Sequence, residues 1–131
     1  MHKSFLITAS FLGALAVGLG AFAAHGLKQI LSAENIAIFE TAVKYQFYHV
    51  FALLATGILY ATYTNAKIKW AGNFFIAGIV IFSGSLYLLC FSKQFNWGVN
   101  WLGAITPFGG VCFITAWCLL ALGIYKKINS L

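Results

Sequence analysis

The sequence predicts an all-α integral membrane bundle of four transmembrane helices, with a short amphipathic interfacial segment between the first and the second. Hydrophobic residues make up 62% of the 131 residues and charged residues only 8%, whereas roughly 25% of the residues in a soluble domain are charged. The apolar residues form long runs, comparable with the about 20 residues that cross the hydrocarbon core of a membrane. The chain length predicts a single domain, residues 1–131.

The basic residues also indicate a membrane. The net charge of +6 comes from eight Lys and no Arg, set against two Glu. Nucleic-acid binders usually cluster Lys and Arg on one face, whereas these Lys lie singly or in pairs at the ends of apolar runs. We therefore expect membrane lipid, and no nucleic acid, as a partner.

The first predicted span covers residues 5–24, an apolar run of 20 residues. Its small residues recur at spacings of four and three, so they share one face of a helix. They are Ala9, Gly13, Ala16, Gly20 and Ala24. Small residues let membrane helices approach closely. We predict that this face packs against a neighbouring helix.

Residues 25–44 separate the first span from the second and are too many for a simple turn. Apolar residues recur there at helical spacing, among them Ile36, Phe39 and Val43, with polar residues between them. Ser32 is suited to cap a helix that begins after it. We predict an amphipathic segment that lies on the membrane surface and leads into the second span.

The other three spans are predicted at residues 47–63, 70–91 and 101–125. Pro107, the only proline, lies in the fourth span close to Gly109 and Gly110. A proline inside a helix removes a backbone hydrogen bond and kinks the helix. We predict a kink at Pro107, and close helix packing at Gly109, Gly110 and Gly84.

Four crossings place both termini on the same side of the membrane. That side carries five lysines, Lys3, Lys67, Lys69, Lys126 and Lys127, and the other side carries three, Lys28, Lys44 and Lys93. Basic residues are enriched in cytoplasmic loops, so we predict a multi-pass protein of the cell (inner) membrane with cytoplasmic N- and C-termini. Two aromatic belts are expected, Tyr60, Tyr63, Trp70 and Tyr125 on one side and Tyr45, Tyr48, Trp97 and Trp101 on the other.

Residues 39–49 concentrate polar side chains in a chain that has few of them. Residues four apart share a helix face, so Glu40 lies beside Lys44 and Tyr45 beside His49. We predict a polar cluster near the outer membrane face, which binds a ligand or is only structural. Its members are His25, Glu40, Lys44, Tyr45, Gln46, His49, Ser83 and Tyr87. The structural alternative is an interfacial Glu40–Lys44 ion pair, with helix packing through the serines.

Two histidines raise the question of a metal or haem. Imidazoles on adjacent helices can ligate haem iron or part of a metal site, and His25 and His49 are predicted near the same face. A zinc site needs about four ligands, and the three cysteines, which we expect to be buried apolar side chains, form no Cys-x-x-Cys pair. We predict no metal and no cofactor, and keep a haem or metal-binding protein as an alternative.

No catalytic residue is assigned. Proton-coupled transport normally uses an acidic residue deep in a span, and nucleophilic catalysis places Ser or Cys beside an oriented base. Ser83 and His49 have no motif spacing that supports such a pair. We therefore favour a non-enzymatic role.

Four stretches of the sequence resemble a known family. They are residues 20–27, 39–49, 82–87 and 106–110, the last followed by Trp117. Together they resemble the small membrane proteins of domain of unknown function 423, which include proteins like transmembrane protein 256. The family tends to have Gly where this chain has Ala116. The resemblance implies a four-helix membrane protein and no particular biochemical activity.

The function predicted from the sequence is that of a multi-pass membrane protein whose polar cluster binds a lipid, a small ligand or a partner helix. The expected protein partners are a second copy of the chain or another membrane protein. A small oligomeric transporter or channel is the other alternative, which the chain's size and the small-residue face of its first span motivate.

Overall fold

Apolar residues at helical spacing make the chain helical almost throughout, as a computed structural model that describes residues 1–129 shows. The elements are α1 (Lys3–Ala24), a 3₁₀ turn (Leu27–Gln29), α2 (Ala33–Leu59), α3 (Ala66–Gly78), a π-helical turn (Ile79–Ser83), α4 (Gly84–Phe95) and α5 (Leu102–Ile128). The residues described include no β-strand. The all-α prediction is confirmed.

α3, the π-helical turn and α4 follow one another without a break and form one long rod, Ala66–Phe95, called the third rod below. The molecule therefore consists of four rods: α1, α2, the third rod and α5. A π-helical turn inserts an extra residue into the helical repeat and often marks a functional or closely packed site. Here it falls where the third rod meets α5.

Successive rods run antiparallel. The backbone N–H of His2 donates to the Gly57 carbonyl at 2.9 Å, which joins the start of α1 to the end of α2. The Asn65 side chain donates to the Gly123 carbonyl at 3.0 Å, which joins the start of α3 to the end of α5. The N-terminus and the end of α5 therefore lie at the same end of the bundle.

Three helices of residues 1–129 are long and apolar enough to cross a membrane: Lys3–Gln29, Ala66–Phe95 and Leu102–Lys126. They overlap the predicted first, third and fourth spans. α2 does not meet this standard, because three charged residues and several other polar ones interrupt it. A fourth crossing therefore does not follow from hydropathy alone.

α2 differs from the predicted second span at both ends. The predicted cap is confirmed, because Ser32 Oγ accepts a hydrogen bond from the Asn35 N–H at 3.2 Å, so the helix begins at Ala33 rather than near residue 47. It ends at Leu59, and Asn65 caps the next helix by accepting from the N–H groups of Lys67 and Ile68. The predicted interfacial segment corresponds to the 3₁₀ turn and the first turns of α2. Its location at the membrane surface stays a prediction.

Glycines allow two of the closest contacts between rods. A Cβ on Gly109 of α5 would lie 2.4 Å from the backbone nitrogen of Phe82 in the π-helical turn. A Cβ on Gly78 would lie 2.4 Å from the ring of Phe113. Contacts below about 3 Å are far inside van der Waals distance. The third rod and α5 therefore pack this closely only because both residues are glycine.

The other predicted packing glycines behave differently. Cβ atoms on Gly13 and Gly20 would lie 3.4 and 3.5 Å from Val50 and Val43, so both glycines face α2 at ordinary contact distance. A Cβ on Gly84 or on Gly110 would have no neighbour within 4 Å among the residues described. Pro107 lies in the second turn of α5, which continues through it. The kink stays a prediction.

Candidate functional site

Gln46 connects three of the four rods at the middle of the bundle. It lies thirteen residues from each end of α2 and is almost fully buried. Its side-chain amide donates to the Leu12 carbonyl of α1 at 2.8 Å and accepts from the Tyr87 hydroxyl of α4 at 2.7 Å. The amide nitrogen and oxygen therefore each have a partner on a different helix.

His49, one turn further along α2, is buried among aromatic rings. Its ring is stacked on Phe113, with centroids 3.5 Å apart and planes 6° from parallel. Nδ1 lies 2.7 Å from the Tyr45 carbonyl oxygen, and Nε2 accepts from the Trp117 indole N–H at 3.3 Å. Because a carbonyl only accepts and an indole N–H only donates, the proton is on Nδ1 and the imidazole is neutral. Both ring nitrogens are occupied by these contacts.

Three hydroxyl groups surround the π-helical turn. Ser83 Oγ donates to the Ala42 carbonyl of α2 at 2.7 Å. Ser85 Oγ donates to the Phe82 carbonyl at 2.9 Å and lies 2.7 Å from Thr106 Oγ1 of α5. Hydrogen bonds between membrane helices stabilise their packing. These hydroxyls therefore join the third rod to both α2 and α5.

The interior polar residues, Gln46, His49, Ser83 and Tyr87, have protein partners for the groups that point inward. Two surface grooves are lined by other residues. One is an open groove of about 330 Å³ lined by Leu6, Ile7, Ser10 and Phe11, and the other is a groove of about 170 Å³ lined by Trp70, Asn73, Phe74 and Ala77. The contacts of these interior residues hold helices together.

His25 and His49 lie far apart. Val50, next to His49, packs beside Gly13 of α1, whereas His25 follows the last residue of α1 and is exposed. Gly13 and His25 are separated by about 18 Å of helix. The two histidines therefore do not meet in this structure, and their depth in the membrane stays a prediction. Residues 1–129 contain no group of three or more His, Cys, Asp or Glu that could hold a metal ion.

Two charged members of the predicted cluster lie on the outside of α2. Glu40 and Lys44 are exposed, and they share a stripe with other exposed residues of the helix. This surface, called the α2 outer stripe, comprises Ala37, Glu40, Lys44, Tyr48, Phe51 and Ala55. Lys44 is only two residues from Gln46, the middle of α2. Lys44 thus lies near the middle of α2, and Glu40 lies one helical turn nearer to the start of the helix.

The structure divides the predicted cluster into two groups. Gln46, Tyr87, Ser83 and His49 point inward, while Glu40, Lys44 and the partly exposed Tyr45 point outward. Among the side chains that the structure describes, the only salt bridge joins Lys93 and Glu34, at 3.8 Å. The expected Glu40–Lys44 ion pair does not form in this conformation.

Sequence reasoning missed Phe113 and Trp117, the two partners of His49 on α5. They are four residues apart and so share a helix face, which is the only signal the sequence offered. It also expected three buried cysteines. Cys90 is buried, Cys112 is half-buried and Cys118 is exposed, because an apolar helix in a membrane protein can turn apolar residues outward as well as inward.

Comparison with known proteins confirms the resemblance found in the sequence. Residues 19–110 match the family described as Protein of unknown function (DUF423). A UPF0382 membrane protein of Staphylococcus saprophyticus is 44% identical over 124 residues, which cover 95% of this chain and 98% of the relative. The UPF0382 membrane protein YwdK of Bacillus subtilis is 38% identical over 127 residues, which cover 96% and 99%. No solved structure matches.

Proposed function

The chain belongs to the DUF423 family of membrane proteins, and from this premise we propose that it is a non-enzymatic four-span protein whose α2 outer stripe binds a partner transmembrane helix. The observation that carries the proposal is the position of Glu40 and Lys44. Both are exposed on the outside of the bundle, and Lys44 lies close to its middle.

The contacts of α2 support a fourth crossing. α2 runs beside α1 from the Gly57–His2 hydrogen bond at one end, through Gln46 and Leu12, to Val43 beside Gly20. A helix that follows a membrane-spanning neighbour in this way spans the membrane with it. The buried Gln46 and His49 lower the hydropathy of α2, but their partners are protein groups, so these residues do not oppose insertion.

Exposed aromatic residues support a position for the membrane. Trp70 and Tyr125 are exposed at one end of the bundle, and Trp97 and Trp101 at the other. Trp101 and Tyr125 are 24 residues apart, about 36 Å of helix, which lies between the about 30 Å of the hydrocarbon core and the about 40–45 Å of the whole bilayer. When the bilayer is centred between these two belts, its middle lies near Gln46.

The cost of exposing charge at this depth favours a partner. Lys44 lies about 3 Å and Glu40 about 9 Å along α2 from Gln46, both inside the hydrocarbon half-thickness of about 15 Å. A charged residue at the centre of a membrane helix costs about 2.5 to 3.5 kcal/mol on insertion scales, and such residues usually face protein or a water-filled cavity. A helix seated on the stripe removes both charges from contact with lipid.

A partner helix fits this surface better than the two other ligand classes considered. Lipid headgroups lie beyond the hydrocarbon core, further from the membrane centre than Glu40. A small ligand needs a concave site, whereas the stripe is the convex face of a helix. An oligomeric transporter or channel would use the same stripe to line a water-filled gap between subunits. That function requires the subunits to associate first. Helix binding is therefore the primary proposal.

A photo-cross-linking experiment tests it. We expect p-benzoylphenylalanine at Tyr48 to form a polypeptide adduct in intact membranes, and we expect Glu40→Ala with Lys44→Ala to abolish most of that adduct. Leu15 is the matched control, because it is 52% exposed on α1 and also lies near the middle of its helix. Equal adducts at residues 15 and 48, or lipid adducts alone, would contradict the proposal.

A further inference from the structure

We infer that the helix bound by the α2 outer stripe is α2 of a second copy of the same chain. This inference rests on the proposed function and names the partner of the same surface. It starts from the two charges of the stripe, which have opposite sign and lie one helical turn apart.

Charge complementarity favours a second copy. A partner with one acidic residue would neutralise Lys44 and leave the charge of Glu40 unpaired. A partner with one basic residue would neutralise Glu40 and leave the charge of Lys44 unpaired. A second copy supplies both charges. Glu40 of each copy faces Lys44 of the other, so that two equivalent ion pairs form and the four charges sum to zero.

Membrane insertion supplies the geometry. Two copies inserted in the same orientation are related by a twofold axis along the membrane normal, which brings identical residues to the same depth. Glu40 and Lys44 differ in height by about 6 Å. The Lys side chain is long enough to reach a carboxylate one helical turn away, as it does in i, i+4 pairs on a single helix. Both cross-pairs therefore form at once.

The spacing of the stripe suits a helix pair. Four residues of the stripe are separated by intervals that alternate between four and three positions: Lys44, Tyr48, Phe51 and Ala55. They therefore follow a nearly straight line along the helix. Such a line allows two helices to pack at the about 20° crossing angle that is common in membrane bundles. Ala37 and Ala55 are small and lie on either side of Tyr48 and Phe51, so the backbones can approach near both ends of the contact.

The outer face of α1 offers no comparable reason to bind protein. Its exposed residues near mid-length are apolar, among them Phe11, Leu15 and Val17. Its one nearby hydroxyl, Ser10 Oγ, donates within the helix to the Leu6 carbonyl at 2.8 Å. Lipid tails suffice to solvate this face. The charged pair therefore distinguishes the α2 face from the α1 face at similar depth.

Charge reversal in liposomes tests the inference. The purified full-length chain, labelled with donor or acceptor dyes, is diluted with lipid while energy transfer is measured. We expect Lys44→Glu and Glu40→Lys each to raise the protein-to-lipid ratio at half-association at least tenfold, because like charges then face each other. The double variant, Glu40→Lys with Lys44→Glu, restores opposite charges and is expected to associate within about threefold of the natural chain.

Disulfide trapping provides a second measurement, one that does not depend on changing the charges. In a background with all three cysteines replaced by Ala, Tyr48→Cys is expected to form a cross-linked dimer and Leu15→Cys is not. Any one of four results would overturn the second copy as the partner. In liposomes, these are a natural chain that does not associate, single charge reversals without effect, and a double variant that stays dissociated. In disulfide trapping, it is equal cross-linking at residues 15 and 48. If the photo-adduct at Tyr48 then contains a different polypeptide, the proposed function stands while this inference fails.

Discussion

At the scale of single residues, the bundle buries Gln46 and His49 at mid-length and provides both with hydrogen-bond partners. Gln46 and His49 contact α1, α4 and α5 through Leu12, Tyr87 and Trp117. An unpartnered polar group in hydrocarbon costs several kcal/mol, so these contacts strongly restrict how the helices can be arranged. The residues act as specific links between helices, and no substrate is required to explain them.

A double-mutant cycle measures one of these links. Gln46→Leu and Tyr87→Phe each remove the Tyr87–Gln46 hydrogen bond, and each is expected to destabilise the protein by about 0.5 to 1.5 kcal/mol. The coupling free energy between them should be about 0.6 kcal/mol and no more than about 1.7, as for other hydrogen bonds between membrane helices. Reversible unfolding in mixed detergent measures the four stabilities. The control cycle pairs Gln46→Leu with Tyr45→Phe, at a partly exposed residue, and should give a coupling free energy near zero. If the coupling free energy in the control cycle were as large as that between Gln46 and Tyr87, the first cycle would not report the hydrogen bond.

The same residues show what the sequence could and could not predict. Composition and the length of apolar runs predicted a helical membrane protein, because lipid exposure demands apolar surface. The polar stretch at residues 39–49 predicts a cluster near the membrane surface, because polar side chains favour contact with water. In the structure α2 continues as one helix from Ala33, so Gln46 falls at mid-length. Its partners on α1 and α4 come from tertiary packing, which periodicity within one helix does not encode.

At the scale of elements, a close backbone approach joins α5 to the π-helical turn of the third rod. Gly109 faces the backbone of Phe82, whereas Gly110, its neighbour in the chain, faces open space. The sequence predicted packing at both glycines, because adjacent glycines cannot be told apart until the neighbouring helix is placed. The extra residue of the π-helical turn was also not predicted. It leaves the Ser83 and Ser85 hydroxyls directed to different helices.

The two glycines form a matched pair for mutation. Gly109→Ala is expected to destabilise the bundle by about 1 to 3 kcal/mol, because its methyl group overlaps backbone that cannot move without separating the rods. Gly110→Ala is expected to be neutral or to stabilise by up to about 1 kcal/mol, since alanine favours helix more than glycine does. Thermal unfolding of detergent-purified protein measures both. Equal effects of the two substitutions would show that this contact does not control stability.

At the scale of the whole molecule, the position of Lys44 changes the charge count that predicts orientation. Lys44 lies at mid-length of α2 rather than in a connection, so it does not belong in a comparison of the lysines near helix ends. Five lysines then lie at the end of the bundle with the termini, and two, Lys28 and Lys93, lie at the other. Basic residues favour the cytoplasmic side. The revised count widens the difference in lysines on which the prediction of cytoplasmic termini rests.

Cysteine labelling in whole cells tests the orientation and the fourth crossing together. Gln29 and Thr62 are exposed residues just before and just after α2, and each is replaced by Cys in a full-length chain whose own cysteines are changed to Ala. If α2 crosses the membrane, an impermeant maleimide should label Gln29→Cys from outside, and Thr62→Cys only after permeabilisation. Lys126→Cys, at the end of α5, should behave like Thr62→Cys. Labelling of residues 29 and 62 from the same side would exclude the crossing. It would also remove Lys44 from the middle of the bilayer, and with it the reason for a partner at the α2 outer stripe.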